Sequence, residues 1–468
     1  MWSFVSSGPL PLYKQVVQRI EILVTSGKLP PGERLPAERV LARLMEVNRS
    51  TIIRALDELT DRGVLWRKRG SGTYVSNDRW GVQNYAMSNW QGPSAPVYSR
   101  TEAAFRRNAA IAREKALQDG VRFDDLSGDG LARDLLPDIP TPATMWEEAV
   151  AAEQGNEAAY LGLTSFRKSV QEYLAQTAGF SVPLEEILIT SGSRQALFLI
   201  IQCLLKPGDA VGIEAPSYCY SLPIFQAAGL RLFALPMDGE GVVPEGLERV
   251  ANRHSLKMIF LNPVFHNPTG TVMADARKKI VLDFCAKARI PIVEDDAYSQ
   301  LYFESMCGLS PVKAYDARGQ VMYTGSLSSY AGGNLRAGWL VAPRPVITRL
   351  ADARLMMDAG LSVMPQILAT AYLDSVAATH LPRLRAALAS RAEAMTSRIC
   401  TILSGDVEME PPRGGLYCYP RLGVMGEKAY AAAQEAFVRH GLLPALGESF
   451  GDARRAFRFN ISLFHEKA

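Results

Sequence analysis

Helical spacing of apolar side chains dominates the start of the chain. Between Leu12 and Val24 the apolar positions recur every three or four residues, and Gly27 follows as a helix-ending residue. After a turn rich in proline and glycine (29–36), two shorter helical segments are predicted at about 37–45 and 50–61. The pattern therefore predicts three helices within the first 61 residues.

The pattern then changes to short apolar runs of strand type. Gly63 is a candidate helix C-cap, and the strands 64–66 and 73–75 flank the sequence RKRGSG (67–72). Such a segment is typical of a β-hairpin with a basic tip. Three helices followed by a hairpin predict a winged helix-turn-helix.

From about residue 119 onward, apolar strand-like runs alternate with amphipathic helical segments, for instance 195–205 and 274–288. The predicted strands are EILIT (186–190), AVGIE (210–214), LKMIFLN (256–262), PIVED (291–295), QVMYTG (320–325) and GWLVAP (338–343). This alternation predicts an α/β domain with a mainly parallel sheet. Residues 350–468 predict long helices and a few strands, hence a smaller C-terminal lobe.

The segment between these two parts has a different composition. Residues 77–118 are rich in Asn, Ser, Gln and Pro and then in Arg and Ala, which is typical of a linker. The predicted division is therefore a winged helix-turn-helix domain at 1–76, a linker at 77–118, and a large α/β domain at 119–468. Trp80 and Trp90 predict that part of the linker docks on a surface.

Charge is distributed unevenly. The whole chain has a net charge of +3, but residues 1–76 contain twelve Lys and Arg against seven Asp and Glu, so this segment carries +5. A basic module on a mildly acidic body indicates nucleic-acid contact at one end. The six cysteines show no CxxC spacing, so no metal site is expected. Without a signal pattern or a membrane-length apolar run, we expect a cytoplasmic protein.

In a helix-turn-helix the second helix enters the major groove, and its N-terminal residues contact the DNA. Arginine can donate to guanine or phosphate, and hydroxyls and helix amides suit phosphate oxygens. The candidate DNA-binding residues are Arg34, Arg39, Asn48, Arg49, Ser50, Thr51, Arg54 and, at the hairpin tip, Arg67, Lys68 and Arg69.

Four stretches of this module carry a family resemblance: PLYKQVVQRI, SGKLPPGERLPAERVLA, VNRSTIIRALDEL and GVLWRKRGSGTYV. Over about 65 residues without a gap they resemble the GntR-type winged helix. The resemblance implies a double-stranded DNA operator as the partner. The glycines of GSGT precede a strand and not a helix, so we interpret them as a hairpin turn and not as a phosphate loop.

Other motifs, spanning about residues 125–465, resemble fold-type I aminotransferases, which use pyridoxal phosphate. They are LITSGSRQAL (188–197), EAPSYCY (214–220), NPVFHNPTG (262–270), PIVEDDAYSQL (291–301), GSLSSYAGGNLRAGW (325–339), PPRGGLYCYP (411–420) and FRFNIS (457–462). Together with the GntR module they resemble the MocR-type regulator architecture. Since that fold builds its sites at a dimer interface, the resemblance also implies a homodimer.

The resemblance implies a role for each matching residue. Ser191, Gly192 and Ser193 stand at a helix N-terminus that suits a phosphate, and Ser326 and Arg336 would also hold the phosphate. The remaining implied cofactor contacts are Tyr218 stacked on the pyridine ring, Asp295 at the pyridine nitrogen, and Asn267 and Tyr298 at the phenolic oxygen. Arg458 would clamp a ligand carboxylate.

One position departs from the family. In GSLSSY, Ser329 replaces the lysine that binds the cofactor covalently and moves a proton during transamination. Serine cannot form an imine, and Lys313 lies sixteen residues upstream. Three interpretations follow: non-covalent binding of pyridoxal or pyridoxamine phosphate, binding of a preformed cofactor–amine adduct, or loss of the cofactor in favour of another small molecule or none. The retained Asn267, Asp295 and Arg336 favour the first two.

The leading hypothesis is a transcription regulator whose large domain senses a small-molecule effector, a vitamin B6 phosphate or its amine adduct, without enzymatic activity. Two alternatives stay open. One is an active pyridoxal-phosphate aminotransferase with an appended DNA-binding module, against which Ser329 argues. The other is a constitutive regulator whose large domain serves only to dimerise.

Overall fold

A computed structural model describes residues 2, 11–25, 29–30, 32–68, 70–76, 123–153, 160–304, 309–403, 407–423, 426–452 and 455–465. The chain divides into two compact units, Met1–Pro96 and Val97–Ala468. The predicted linker at 77–118 and the helix-ending Gly27 lie outside the described residues, so the linker boundaries stay predictions.

The N-terminal unit has the predicted order of elements. Its helices are α1 (Leu12–Thr25), α2 (Glu38–Leu44) and α3 (Arg49–Asp61), and its hairpin pairs β1 (Leu65–Lys68) with β2 (Gly72–Val75) in antiparallel register. Gly63 follows α3 with a φ of +70°, which is a left-handed conformation that glycine adopts without strain.

One apolar cluster holds this unit together. It takes side chains from all three helices and from the hairpin: Val16, Val17, Ile20, Leu41, Ile52, Leu56, Leu59, Leu65 and Val75. Because the helical apolar positions face this cluster, the polar N-terminal turn of α3 remains on the surface.

The large unit is built on a sheet with eight described strands, in the order β4-β11-β10-β9-β8-β5-β6-β7. The strands are β4 (Ile187–Thr190), β5 (Ala210–Ala215), β6 (Arg231–Asp238), β7 (Gly241–Val242), β8 (Met258–Leu261), β9 (Ile292–Asp296), β10 (Val321–Ser326) and β11 (Gly338–Val341). Strands β6, β5, β8, β9 and β10 run parallel, and β11 runs antiparallel to both β10 and β4. The mainly parallel sheet expected from the sequence is confirmed.

Helices pack on this sheet and extend beyond it. They are α4 (Met145–Glu153), α5 (Thr164–Thr177), α6 (Ser193–Leu204), α7 (Ile224–Ala227), α8 (Pro244–His254), α9 (Asp275–Ala288), α10 (Ser328–Ala331), α11 (Arg344–Asp358), α12 (Val363–Ala371), α13 (Ala377–Leu403) and α14 (Glu427–Arg439). Short strands form the smaller lobe: β12 (Val407–Glu408), β13 (Tyr417–Cys418), β14 (Arg421–Leu422), β15 (Leu442–Leu443), β16 (Ala445–Leu446) and β17 (Phe457–Asn460).

The smaller lobe is not purely C-terminal. Strand β3 (Asp124–Asp125) pairs in parallel with β15, and the following residues are tied to β17. The expectation that this lobe consists only of residues after about 350 is therefore incomplete, because β3 and the residues that follow it also belong to the lobe.

Strand direction positions the pocket. Strands β4, β9 and β10 share one direction, so their carboxyl ends, at Thr190, Asp296 and Ser326, lie at the same edge of the sheet. In open α/β sheets, ligands bind outside this edge. None of the helices among the described residues is both long and apolar enough to cross a membrane.

Candidate DNA-binding surface and ligand pocket

The candidate DNA-binding residues lie on the surface of the N-terminal unit. Asn48 precedes α3, and Arg49, Ser50 and Thr51 form its first turn. All the predicted residues that the structure describes are exposed except Thr51, which is half-buried. Arg69 lies outside the described residues. An exposed, polar helix start beside a hairpin is the geometry that a winged helix presents to DNA.

Several of these arginines are held by acidic or aromatic neighbours. Arg49 donates to Glu38 of α2 from Nη2 at 3.0 Å and from Nε at 3.2 Å. The guanidinium of Arg54 lies 3.9 Å from the centre of the Tyr13 ring. Exposed ion pairs contribute little to stability, so Arg49 can exchange Glu38 for another anionic partner at little cost.

The wing residues are held in a similar way. Arg67 pairs with Asp57 at 2.7 Å. Arg34 packs on the hairpin, since a Cβ placed on Gly72 would lie 2.9 Å from its Nε. The wing and the loop before α2 therefore present their basic groups together.

In the large unit, three chain segments form an anion cradle, defined here as Gly192, Ser193, Ser326 and Arg336. Gly192 has a φ of +117°, and a Cβ placed there would lie 3.6 Å from both Arg336 Nη2 and Ser326 Oγ. Ser193 begins the twelve-residue helix α6. A helix N-terminus, a hydroxyl and a guanidinium around one glycine turn suit a phosphate.

Close packing of β11 fixes this cradle. A Cβ placed on Gly338 would lie only 2.7 Å from the Cα of Gly192, so the two backbones touch. At the edge of the cradle, the Ser191 N–H donates to the Gln195 side chain at 2.8 Å. Of the predicted phosphate contacts, the structure thus brings Gly192, Ser193, Ser326 and Arg336 together, with Ser191 beside them.

Asp295 lies at the end of β9 and is buried. Its carboxylate accepts hydrogen bonds from the hydroxyls of Tyr218 and, at 3.1 Å, Thr324. Burial raises the pKa of Asp295 to about 6, although both hydrogen bonds favour the charged form. A buried carboxylate beneath the pocket can hold a cationic nitrogen of a bound ring.

Asn267 and Tyr298 meet on the other side of this pocket. Asn267 Nδ2 lies 3.4 Å from the Tyr298 hydroxyl, which in turn lies 3.3 Å from the hydroxyl of Tyr417. Asn262 connects this group to Asp295, because its amide donates to the Asp295 carbonyl at 2.8 Å and its oxygen accepts the Asn267 N–H at 2.7 Å.

Arg458 of β17 is buried and adjoins the same group. Its Nη1 donates to Asn267 Oδ1 at 3.0 Å, and its Nη2 donates to the Ser127 carbonyl at 2.7 Å. The guanidinium also forms an ion pair with Asp129, Nη1 to Oδ1, at 2.8 Å. The predicted clamp therefore already faces a carboxylate from within the chain.

Ser329 is buried in the single turn α10, three residues after Ser326 of the anion cradle. The ammonium of Lys313 is engaged by Asp316 at 3.0 Å, and that of Lys278 by Asp275 at 3.0 Å and the Ser310 carbonyl at 2.7 Å. Both lysines therefore have partners of their own. Ser329 occupies the position where the family resemblance implies a lysine.

Three residues of this pocket were missed in the sequence. Thr324 and Asn262 lie inside quoted motifs, and their signal was a polar side chain at the end of an apolar strand. Asp129 stands between two glycines just after the predicted linker, and no local pattern marks it. Its partner Arg458 follows more than 300 residues later, so only the fold brings them together.

Two family models match the chain. The model of "Bacterial regulatory proteins, gntR family" matches residues 12–75, and that of "Aminotransferase class I and II" matches residues 134–464. The HTH-type transcriptional regulators YdfD and YisV of Bacillus subtilis are 33% and 34% identical, covering 88% and 89% of this chain and 85% of each relative. NorG of Staphylococcus aureus, also an HTH-type transcriptional regulator, is 27% identical over 82% of this chain and 86% of its own.

Among solved structures, the large unit resembles aminotransferases. The kynurenine aminotransferase of Pyrococcus horikoshii, solved in complex with PMP, is 26% identical with a TM-score of 0.64 over 75% of this chain and 89% of that one. LysN of Thermus thermophilus, an alpha-aminoadipate aminotransferase complexed with N-(5'-phosphopyridoxyl)-L-leucine, is 26% identical with a TM-score of 0.62 over the same shares.

Fold and surfaces together define a class of protein in which a winged-helix DNA-binding domain is joined to an aminotransferase-like domain. This chain belongs to the gntR family of bacterial regulatory proteins, in the MocR type that carries a class I and II aminotransferase domain. It is a DNA-binding transcription regulator, as the sequence motifs predicted.

Proposed function

We propose that the large domain of this regulator binds pyridoxal phosphate, pyridoxamine phosphate or an amine adduct of the cofactor without a covalent bond, and senses it without catalysing transamination. The observation that carries the proposal is the combination of Ser329 with the candidate cofactor-binding residues that the chain retains. The anion cradle, Asp295 and Asn267 all line one edge of the sheet, while the residue for covalent attachment is a serine.

The residues fit the cofactor at both ends. Gly192, Ser193, Ser326 and Arg336 would hold its phosphate, and Asp295 would hold its ring nitrogen. Asn267 and Tyr298 would donate to its phenolic oxygen. When bound, the cofactor supplies an electron-withdrawing ring and an aldehyde or amine. The relatives of similar fold support this assignment, since two of them were solved with PMP or a phosphopyridoxyl amino acid.

The serine at position 329 favours sensing over turnover. Transamination requires a base that moves a proton at the substrate carbon, and a serine hydroxyl is a poor base near neutral pH. Binding requires only the cradle, the buried acid and the polar groups around Asn267. The curated relatives support a regulatory role, because they are named as transcriptional regulators.

We further propose that the regulator acts in the cytoplasm as a homodimer whose two winged helices contact two operator half-sites, as dimeric helix-turn-helix proteins do. Ligand binding shifts the population of DNA-competent arrangements, provided that the ligand binds one arrangement more tightly than the other.

Calorimetry on the full chain tests the proposal. Pyridoxal phosphate and pyridoxamine phosphate are titrated into wild-type protein, into Arg336→Gln and into Arg344→Gln, a control at the start of α11. We expect wild type to bind both compounds saturably. In Arg336→Gln the affinity should fall about tenfold or more, since a charged hydrogen bond to phosphate is lost. In the control Arg344→Gln the affinity should be unchanged. After borohydride treatment, the wild-type mass stays that of the bare chain.

Three outcomes contradict the proposal. Absence of binding to the wild-type chain would favour the dimerisation-only alternative. Amino-group transfer well above the protein-free background would establish the enzyme alternative. Equal affinity of Arg336→Gln and wild type would show that the anion cradle does not bind the phosphate.

A further inference from the structure

Asp129 is a charged residue of the pocket that the proposed function does not use. Its carboxylate is bracketed by two arginines, with Oδ1 at 2.8 Å from Arg458 Nη1 and Oδ2 at 3.2 Å from Arg194 Nη2. The hydroxyl of Tyr417 adds a donor at 3.4 Å from Oδ1. Partial burial opposes charge on Asp129, but Arg458 and Arg194 outweigh it and lower the pKa of this carboxyl. Asp129 is therefore an anion in this pocket at neutral pH.

The chain holds Asp129 in place on both sides. Arg458 donates to the carbonyl of Ser127, and Asn460 donates to the carbonyls of Gly128 at 3.0 Å and Gly130 at 2.8 Å. Because the segment is already fixed to β17, pairing Asp129 with Arg458 needs little further ordering. A tethered carboxylate of this kind competes effectively with a free one in solution.

Arg458 is thus already paired with Asp129 in the pocket. Its side chain is only 3% exposed, whereas that of Asp129 is 52% exposed. Arg194 is 64% exposed. It follows Ser193 of the anion cradle in the first turn of α6, where a bound phosphate would attract its charge. The positive charge of the buried Arg458 is therefore balanced by the carboxylate of Asp129.

We propose that Asp129 is a specificity-determining residue, which supplies from within the chain the carboxylate that Arg458 binds, so that the pocket selects a cofactor adduct of a primary amine without a carboxylate at that position. This inference rests on the proposed binding of a vitamin B6 phosphate and deepens it by naming the class of amine. It replaces the sequence-based expectation that Arg458 clamps a carboxylate of the ligand.

The physical reason is repulsion between like charges. A ligand carboxylate near Arg458 would either lie beside Asp129 or displace it. Two adjacent carboxylates disfavour each other's ionisation, and displacement breaks an ion pair that the protein has already formed. A charge that would lose its partner in the complex with one class of ligand is a common means of discrimination.

A matched pair of reduced adducts tests the inference: N-(5'-phosphopyridoxyl)-ethylamine and N-(5'-phosphopyridoxyl)-alanine, which differ only by the carboxylate. Their affinities are measured by calorimetry on the full wild-type chain, on Asp129→Asn and on Asp129→Glu. For wild type we expect the ethylamine adduct to bind about tenfold tighter or more, a difference of about 1.4 kcal/mol. Asp129→Asn should reverse this order, and Asp129→Glu should keep it.

Asp134→Asn is the matched control, since Asp134 lies in the same segment and pairs with Arg391 outside the pocket. It should leave the preference unchanged. The inference is wrong if wild type binds the alanine adduct at least as tightly, or if Asp129→Asn keeps the wild-type order. If a variant does not fold, the comparison of the two adducts on the wild-type chain still tests the inference.

Pyridoxamine phosphate alone separates the selectivity from the proposed function. If it binds all variants alike and only the order of the adducts fails to follow the prediction, the selectivity inference is wrong and the proposed function stands. If pyridoxamine phosphate does not bind the wild-type chain, the proposed function fails, and the inference fails with it.

Discussion

The carboxylate of Glu38 in α2 accepts two hydrogen bonds from Arg49 of α3, at 3.0 Å from Nη2 and 3.2 Å from Nε. This pair orients the first arginine of the helix that the winged-helix geometry directs at DNA. Arg49 is 52% exposed, so its guanidinium can leave Glu38 for a base or a phosphate.

We expect Arg49→Ala to lower the affinity for specific DNA about tenfold or more, because one arginine contact contributes about 1–3 kcal/mol. Fluorescence anisotropy with a duplex selected from a random pool measures the change. Arg62→Ala is the control, since Arg62 lies at the other end of α3 and pairs with Glu21. Equal affinity of wild type and Arg49→Ala would disprove the assigned orientation of the module.

The burial of Asp295 predicts a pH dependence of stability. Its pKa is raised to about 6 from an ordinary 3.8, so between these values the native state retains a proton that the unfolded state has lost. The contribution of Asp295 to the free energy of unfolding of the ligand-free chain therefore falls as the pH rises through this window, and the loss persists above it.

Asp295→Asn should remove this loss. At pH 7.5 we expect the unfolding free energy of the large domain to rise by up to about 3 kcal/mol, while the affinity for pyridoxamine phosphate falls. Thermal unfolding at pH 4.5 and 7.5, together with calorimetry, measures both effects. The exposed Asp283→Asn should change neither. A variant that is less stable than wild type at pH 7.5 would contradict the prediction.

Close packing of Gly325 against Trp339 predicts a strong effect of one methyl group. In the antiparallel pair β10–β11 these residues are register partners, and a Cβ on Gly325 would lie 2.4 Å from the indole. Since Trp339 is buried, we expect Gly325→Ala to destabilise the large domain by about 3 kcal/mol. Chemical denaturation measures this, with Gly333→Ala as control because a Cβ placed on Gly333 would have open space within 4 Å. Equal effects of the two substitutions would refute the packing argument.

The serine in α10 predicts that covalent attachment can be restored. We expect Ser329→Lys, treated with pyridoxal phosphate and borohydride, to gain the mass of the cofactor at residue 329, because an amine there reaches the aldehyde. Peptide mass spectrometry locates the adduct. Ser329→Met supplies similar length without the amine and should remain unmodified. An unmodified Ser329→Lys that still binds pyridoxamine phosphate would show that this position does not face the aldehyde.

Much of this arrangement could be predicted from local sequence. The helix predicted at 50–61 was found at Arg49–Asp61, and the strand predicted at 291–295 was found at Ile292–Asp296. Apolar periodicity fixes such elements because each buries one face or both faces in a single core. The motif around Asp295 was equally visible, since acids that end a buried strand are conspicuous against their surroundings.

Other features depend on segments that are distant in sequence. The pairing of β3 with β15, and of Asp129 with Arg458, joins residues near 125 to residues beyond 440. The sequence predicted Arg458 as a clamp for a ligand carboxylate, and nothing near it in the chain indicates Asp129 as a partner.

The sequence by itself determined the two-domain fold class, the strands and helices with clear periodicity, and the serine in place of a lysine, since all of these are carried by local periodicity or by the chemistry of single residues. Only the tertiary structure decided which charges meet. An ion pair depends on the distance between two groups, and folding sets that distance: it brings Glu38 to Arg49 and Asp129 to Arg458.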